Sequence, residues 1–138
     1  MRRAGRYRLV EHTADIRAVG EGADFETVAS LMLAALAEVI YGARKSAADD
    51  VVWRKSWRAE SDDPAFALVE LLNEGLYCIT VGCELPVSYR GGWDRGELEM
   101  ASLPCAEPLR EVKAATYAGV RCEEGADGTW EAEVVFDI

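Results

Sequence analysis

The chain has 138 residues, half of them hydrophobic, which suits one domain over residues 1–138 built around one core. Asp and Glu number 25 against 15 Lys plus Arg, a formal net charge of −10 at pH 7. That balance argues against strong direct binding of nucleic acid, where Lys and Arg must neutralise phosphates; it suits a basic protein partner or a cation, and it also serves solubility by itself.

Tyr7–His12 reads as a strand and Ile16–Val19 as a second one, ended by Gly20 and Gly22, with Glu11-His12-Thr13-Ala14-Asp15 between them. Asp24 then offers an N-cap, and apolar residues at 25, 28, 32, 35, 36, 39 and 40 make a helical stripe that runs to Gly42. The stripe carries few charges, so this helix is expected to lie against a sheet. From Val51 to Glu60 the chain alternates: Val51, Trp53, Trp57 and Ala59 share one face, with Lys55 as the exception. Asp63 and Pro64 read as the cap and first residue of a second helix. Its stripe is Ala65, Leu68, Val69, Leu72, Leu76 and Ile79, interrupted by Gly75 and followed by Gly82 as terminator.

The last third is β-rich. Val87–Arg90, Glu97–Ala101, Val112–Cys122 and Thr129–Ile138 are candidate strands, with turns at Gly91-Gly92-Trp93 and over residues 124–128. The closing strand places Trp130, Ala132, Val134, Phe136 and Ile138 on one face and runs to the final residue, so something is expected to hold it there. The expected fold class is α+β: two helices packed on one face of a mostly antiparallel or mixed sheet.

No segment reaches the roughly 20 apolar residues that span a membrane, and no apolar run follows Arg2 and Arg3 to make a signal peptide, so a cytoplasmic location without membrane contact is expected. Cys78, Cys83, Cys105 and Cys122 form no CxxC pair and read as free thiols rather than a zinc site. Motifs for nucleotide loops or a serine nucleophile are missing.

Two places carry candidate chemistry. His12 is the sole histidine, and Thr13 and Asp15 beside it read in isolation as turn residues. Asp137 and the α-carboxylate of Ile138 are acidic groups one residue apart. They read either as solvated charges or, if held together, as hard oxygen ligands for a divalent cation.

Several segments, in order along nearly the whole chain, resemble the archease family. They are Glu11-His12-Thr13-Ala14-Asp15, the helix Leu68-Val69-Glu70-Leu71-Leu72-Asn73-Glu74-Gly75-Leu76-Tyr77, the strand Glu111-Val112-Lys113-Ala114-Ala115-Thr116-Tyr117, and the ending Val134-Val135-Phe136-Asp137-Ile138. Residues 87–109 match least, and Ala118 stands where many relatives have a histidine. The resemblance implies an accessory protein, not itself an enzyme, that activates an RtcB-type RNA ligase in tRNA splicing or RNA repair by promoting its guanylylation and multiple turnover. It also implies a divalent ion, calcium first with magnesium or manganese as alternatives, held by Asp15, Asp137 and the carboxylate of Ile138. His12 and Glu11 would support that site or the partner interface. Two other readings stand beside it: a metal-dependent phosphoester or nucleotide enzyme acting alone, and a metal-free structural interaction domain.

Overall fold

The computed structural model describes residues 5–11, 14–42, 53–104 and 107–138. Its elements run β1 (Gly5–Glu11), β2 (Asp15–Gly22), α1 (Phe25–Tyr41), β3 (Trp53–Arg58), α2 (Pro64–Thr80), β4 (Glu84–Gly91), β5 (Arg95–Ser102), β6 (Ala114–Glu124) and β7 (Trp130–Asp137). The fold is α+β, as expected, and every strand pairing is antiparallel. The strands divide between two sheets, however, ordered β1-β2-β7-β6 and β3-β5-β4.

The helices explain why the sheets stay separate. In α1, the Ser30 hydroxyl accepts from the backbone N–H of Tyr89 (2.9 Å) and donates to its carbonyl (3.2 Å), which occupies the free edge of β4. In α2, Asn73 does the same for Ala115 on β6: its amide donates to the carbonyl (3.0 Å) and its oxygen accepts from the N–H (2.9 Å). Each sheet therefore ends at a strand whose edge groups are already bonded by a helix side chain, and a strand has less reason to add there.

Helix α1 starts where the sequence indicates. Asp24 Oδ1 accepts from the Thr27 N–H (2.8 Å) and hydroxyl (2.6 Å), and Gly42 closes the helix at φ 87° with its N–H bonded to the Glu38 carbonyl. Burial extends beyond the predicted stripe to Thr27, Ala29, Ser30 and Leu33. The reason is that α1 touches β1, β2 and β7 of one sheet and β4 of the other, so it lies against two surfaces rather than one. Phe25 marks the junction, meeting Tyr89 and Trp130 edge-to-face at 6.0 Å each.

Helix α2 carries its predicted cap, Asp63 Oδ1 bonded to the Ala65 N–H, with Pro64 at its first position. Gly75 is buried where α2 meets α1 and β4; a Cβ there would sit 3.0 Å from Leu33 and 3.3 Å from Pro86. The glycine that interrupts the stripe lets Leu33 and Pro86 pack close to the α2 backbone. Lys55, the exception on β3, places its ammonium 2.8 Å from Glu74 Oε2. Its stem packs inward while its charge is met.

Most strand boundaries lie one to three residues from expectation, and two of the differences change the reading. Strand β2 runs through Gly20 to Gly22, because Gly20 pairs with Tyr7 and lies under Met32, whose Cε would be 2.8 Å from an added Cβ. This glycine admits a close neighbour and ends nothing. Strand β3 is shorter than the 51–60 predicted: it stops at Arg58, and residues 51 and 52 lie outside the described residues. Strand β6 holds an irregularity: Thr116 pairs with Val135 and Arg121 with Glu133, so residues 117–120 face Val134 alone. Gly119 at φ 70° turns this bulge.

Candidate metal site

Strand β7 lies between β2 and β6, and its register with β2 sets Asp15 directly opposite Asp137. The adjoining pair, Ile16 and Phe136, is buried in the core. Alternation therefore turns the two aspartates to the outer face of the sheet, where both are half-buried. The end of β7 is held on both sides. The Ile138 N–H donates to the Ala14 carbonyl (3.2 Å), and the Lys113 N–H donates to the Asp137 carbonyl (2.7 Å). This is the tie that a strand running to the last residue calls for.

Like charges directly opposite one another in a sheet repel. Among the described residues neither Asp15 nor Asp137 forms an ion pair; of the four arginines of this sheet, Arg6, Arg17 and Arg121 pair with Glu21, Glu131 and Glu133. Thr116, two residues along β6 from Ala114, which pairs with Asp137, shares this outer face. Its Oγ1 is buried without a hydrogen-bond partner among the described residues. Asp15 and Asp137 offer two carboxylates in register, and hard oxygens of this kind suit Ca²⁺, Mg²⁺ or Mn²⁺ better than a softer ion. Among the described residues, no three His, Cys, Asp or Glu side chains gather into a metal cluster.

His12 and Thr13 lie outside the described residues. Glu11 pairs across β1 with Ile16, so it turns to the opposite face from Asp15. There it meets Arg110 at 3.3 Å and borders a groove of about 250 Å³ with Leu9, Ile16, Glu38 and Leu109. The register brings Asp15 and Asp137 together and leaves Glu11 apart.

The cysteines described are free: Cys78 and Cys122 buried, Cys83 exposed. Burial, with Asp63 and Glu123 adding to it, pushes the Cys122 thiol up to about 12, so it stays protonated and is a poor ligand. Burial likewise raises Cys78, against the opposing charge of Lys55. Cys105 lies outside the described residues. No helix among those described is long and apolar enough to cross a membrane.

These features define a small acidic α+β protein with two facing carboxylates at the end of a central strand. The family model described as "Archease protein family (MTH1598/TM1083)" matches residues 7–138, and the chain belongs to that family. The solution structure of Methanobacterium thermoautotrophicum protein 1598 is similar in fold, with a TM-score of 0.66 over 96% of this chain and 98% of that one at 20% identity. None of the curated proteins matches the chain in sequence.

Proposed function

We propose that the chain is a non-catalytic accessory protein of an RtcB-type RNA ligase, acting in the cytoplasm in tRNA splicing or RNA repair. In this reading Asp15, Asp137 and the carboxylate of Ile138 hold a divalent cation, calcium first, with magnesium or manganese as alternatives. The observation that carries it is the register of β2 on β7, which sets Asp15 opposite Asp137. Family membership supports the ligase partner. The net charge of −10 suits a basic, RNA-binding protein surface.

The chain's own residues supply position. Strands β2 and β7 fix the two aspartates, and Ala14 and Lys113 fix the end of β7. His12, three residues before Asp15, would orient the site from its flank. A bound cation would supply the positive charge that lets carboxylates stay close, giving a defined acidic end for the ligase to meet. The result is promotion of ligase guanylylation and repeated turnover.

The test is a guanylylation and RNA-joining assay with the ligase of the same organism, with and without this protein. Stimulation by wild type and its loss in D15A and D137A support the reading. A ligase equally active in all four conditions overturns it. Calorimetric titration with Ca²⁺, Mg²⁺ and Mn²⁺ tests the site separately: heats unchanged in D15A and D137A remove these residues as ligands. Residues added after Ile138 convert its carboxylate to a peptide and should weaken binding, whereas an N-terminal extension should not.

A further inference from the structure

Five large apolar side chains are exposed among the described residues, and four of them lie on α2, on its C-cap or against it. Phe66 and Tyr77 of α2 and Val81, its C-cap, share a face: with Asn73 they fall within about a quarter turn of one another at 3.6 residues per turn. The fourth, Tyr117, comes from the bulge of β6. Its ring meets Phe66 edge-to-face at 5.3 Å although the two residues are 51% and 46% exposed. An aromatic pair normally removes its surface from water; this one keeps about half of it there. The bulge is what makes the pair, because residues 117–120 loop out where regular pairing would hold them in the sheet.

The strip has a direction. Asp63 lies near Cys122, Phe66 on Tyr117 and Asn73 on Ala115, so α2 runs antiparallel to β6. Tyr77, a turn beyond Asn73, is thus carried toward Lys113, whose N–H bonds Asp137. Carboxylates stand toward both ends: Asp62, Asp63 and Glu123, all exposed, at the Phe66 end, and Asp137, bonded by the Lys113 N–H, in the direction in which α2 runs. Lys113 is a cation along the path, and Arg121 is engaged by Glu131 and Glu133.

We propose that Phe66, Tyr117 and Tyr77 form the docking strip for a protein partner that presents apolar side chains flanked by Lys and Arg. The charge at both ends argues for that partner over a second copy of this equally acidic chain. The strip leads the partner's basic surface to the Asp15–Asp137 end. This inference rests on the reading that the chain acts through a protein partner.

The test measures binding of the purified ligase to wild type, to F66S/Y117S and to Y77S by biolayer interferometry. Thermal unfolding and Ca²⁺ titration of each variant serve as controls. The expected result is a Kd weakened at least tenfold in F66S/Y117S and severalfold in Y77S, with melting temperature and Ca²⁺ affinity retained. D62N/E123Q should slow association and flatten its salt dependence. Wild-type affinity in F66S/Y117S removes the strip while leaving the ligase reading intact. A wild-type chain that binds no ligase removes both. Sedimentation showing a wild-type dimer that F66S/Y117S dissociates assigns the strip to self-association and overturns the proposal.

Discussion

Asn73 and Glu99 show how single polar residues are fixed by what surrounds them. Asn73 is half-buried, and both ends of its amide are used on Ala115. Asn73→Ala leaves a backbone donor and acceptor without partners and should cost about 2 kcal/mol in urea unfolding, more than a surface substitution. Burial pushes the Glu99 carboxyl up, but hydrogen bonds from Ser88 and Arg54 and the charges of Arg54 and Arg90 hold it below the usual glutamate value. A carboxyl whose folded pKa is depressed stabilises above its unfolded value, and the contribution fades as pH falls through the folded one. Glu99→Gln should therefore melt below wild type at pH 7, and the gap should close below about pH 4; a gap independent of pH would show that the charge is not involved.

At the scale of elements, the β4–β5 hairpin depends on its glycines, Gly96 above all. A Cβ on Gly96 would overlap the carbonyl oxygen of Arg90 and the hydroxyl of Tyr89, which itself bonds the Gly92 carbonyl. Since backbone atoms cannot step aside, Gly96→Ala should cost about 3 kcal/mol or more, measured by thermal or urea unfolding. Elements built from local signals were legible in the sequence. Both helices start at their aspartate caps, and β7 shows its alternating face, because caps and periodicity are short-range. The division into two sheets was not legible. It depends on Ser30 and Asn73 meeting strands 59 and 42 residues away, and nothing local marks those serine and asparagine residues as edge covers. The same holds for the carboxylates. Asp15 reads as a turn residue and Asp137 as a tail until β2 and β7 are set side by side, and only the family resemblance joined them in the sequence. The Phe66–Tyr117 pair was missed entirely, since a bulge in β6 leaves no pattern that alternation can detect.

Across the whole molecule, the net charge of −10 and the facing aspartates predict opposite responses with and without a cation. In chelator, Asp137→Asn relieves repulsion across the β2–β7 pair and should melt at or above wild type. In Ca²⁺ at about 100 times its Kd, wild type should gain about 2.7 kcal/mol and overtake the variant, so the two melting curves exchange order. Curves that keep their order in both conditions would count against a cation at this pair. The position of β7 adds a consequence for how the protein is made. It is an interior strand of its sheet, yet it follows one of its two neighbours, β2, by more than 100 residues. During synthesis β2 and β6 wait with open edges, and Asp15 has no opposite number, until β7 leaves the ribosome. A product that stops before β7 lacks an interior strand and Asp137 together, so the sheet and the proposed cation site would be lost in one step.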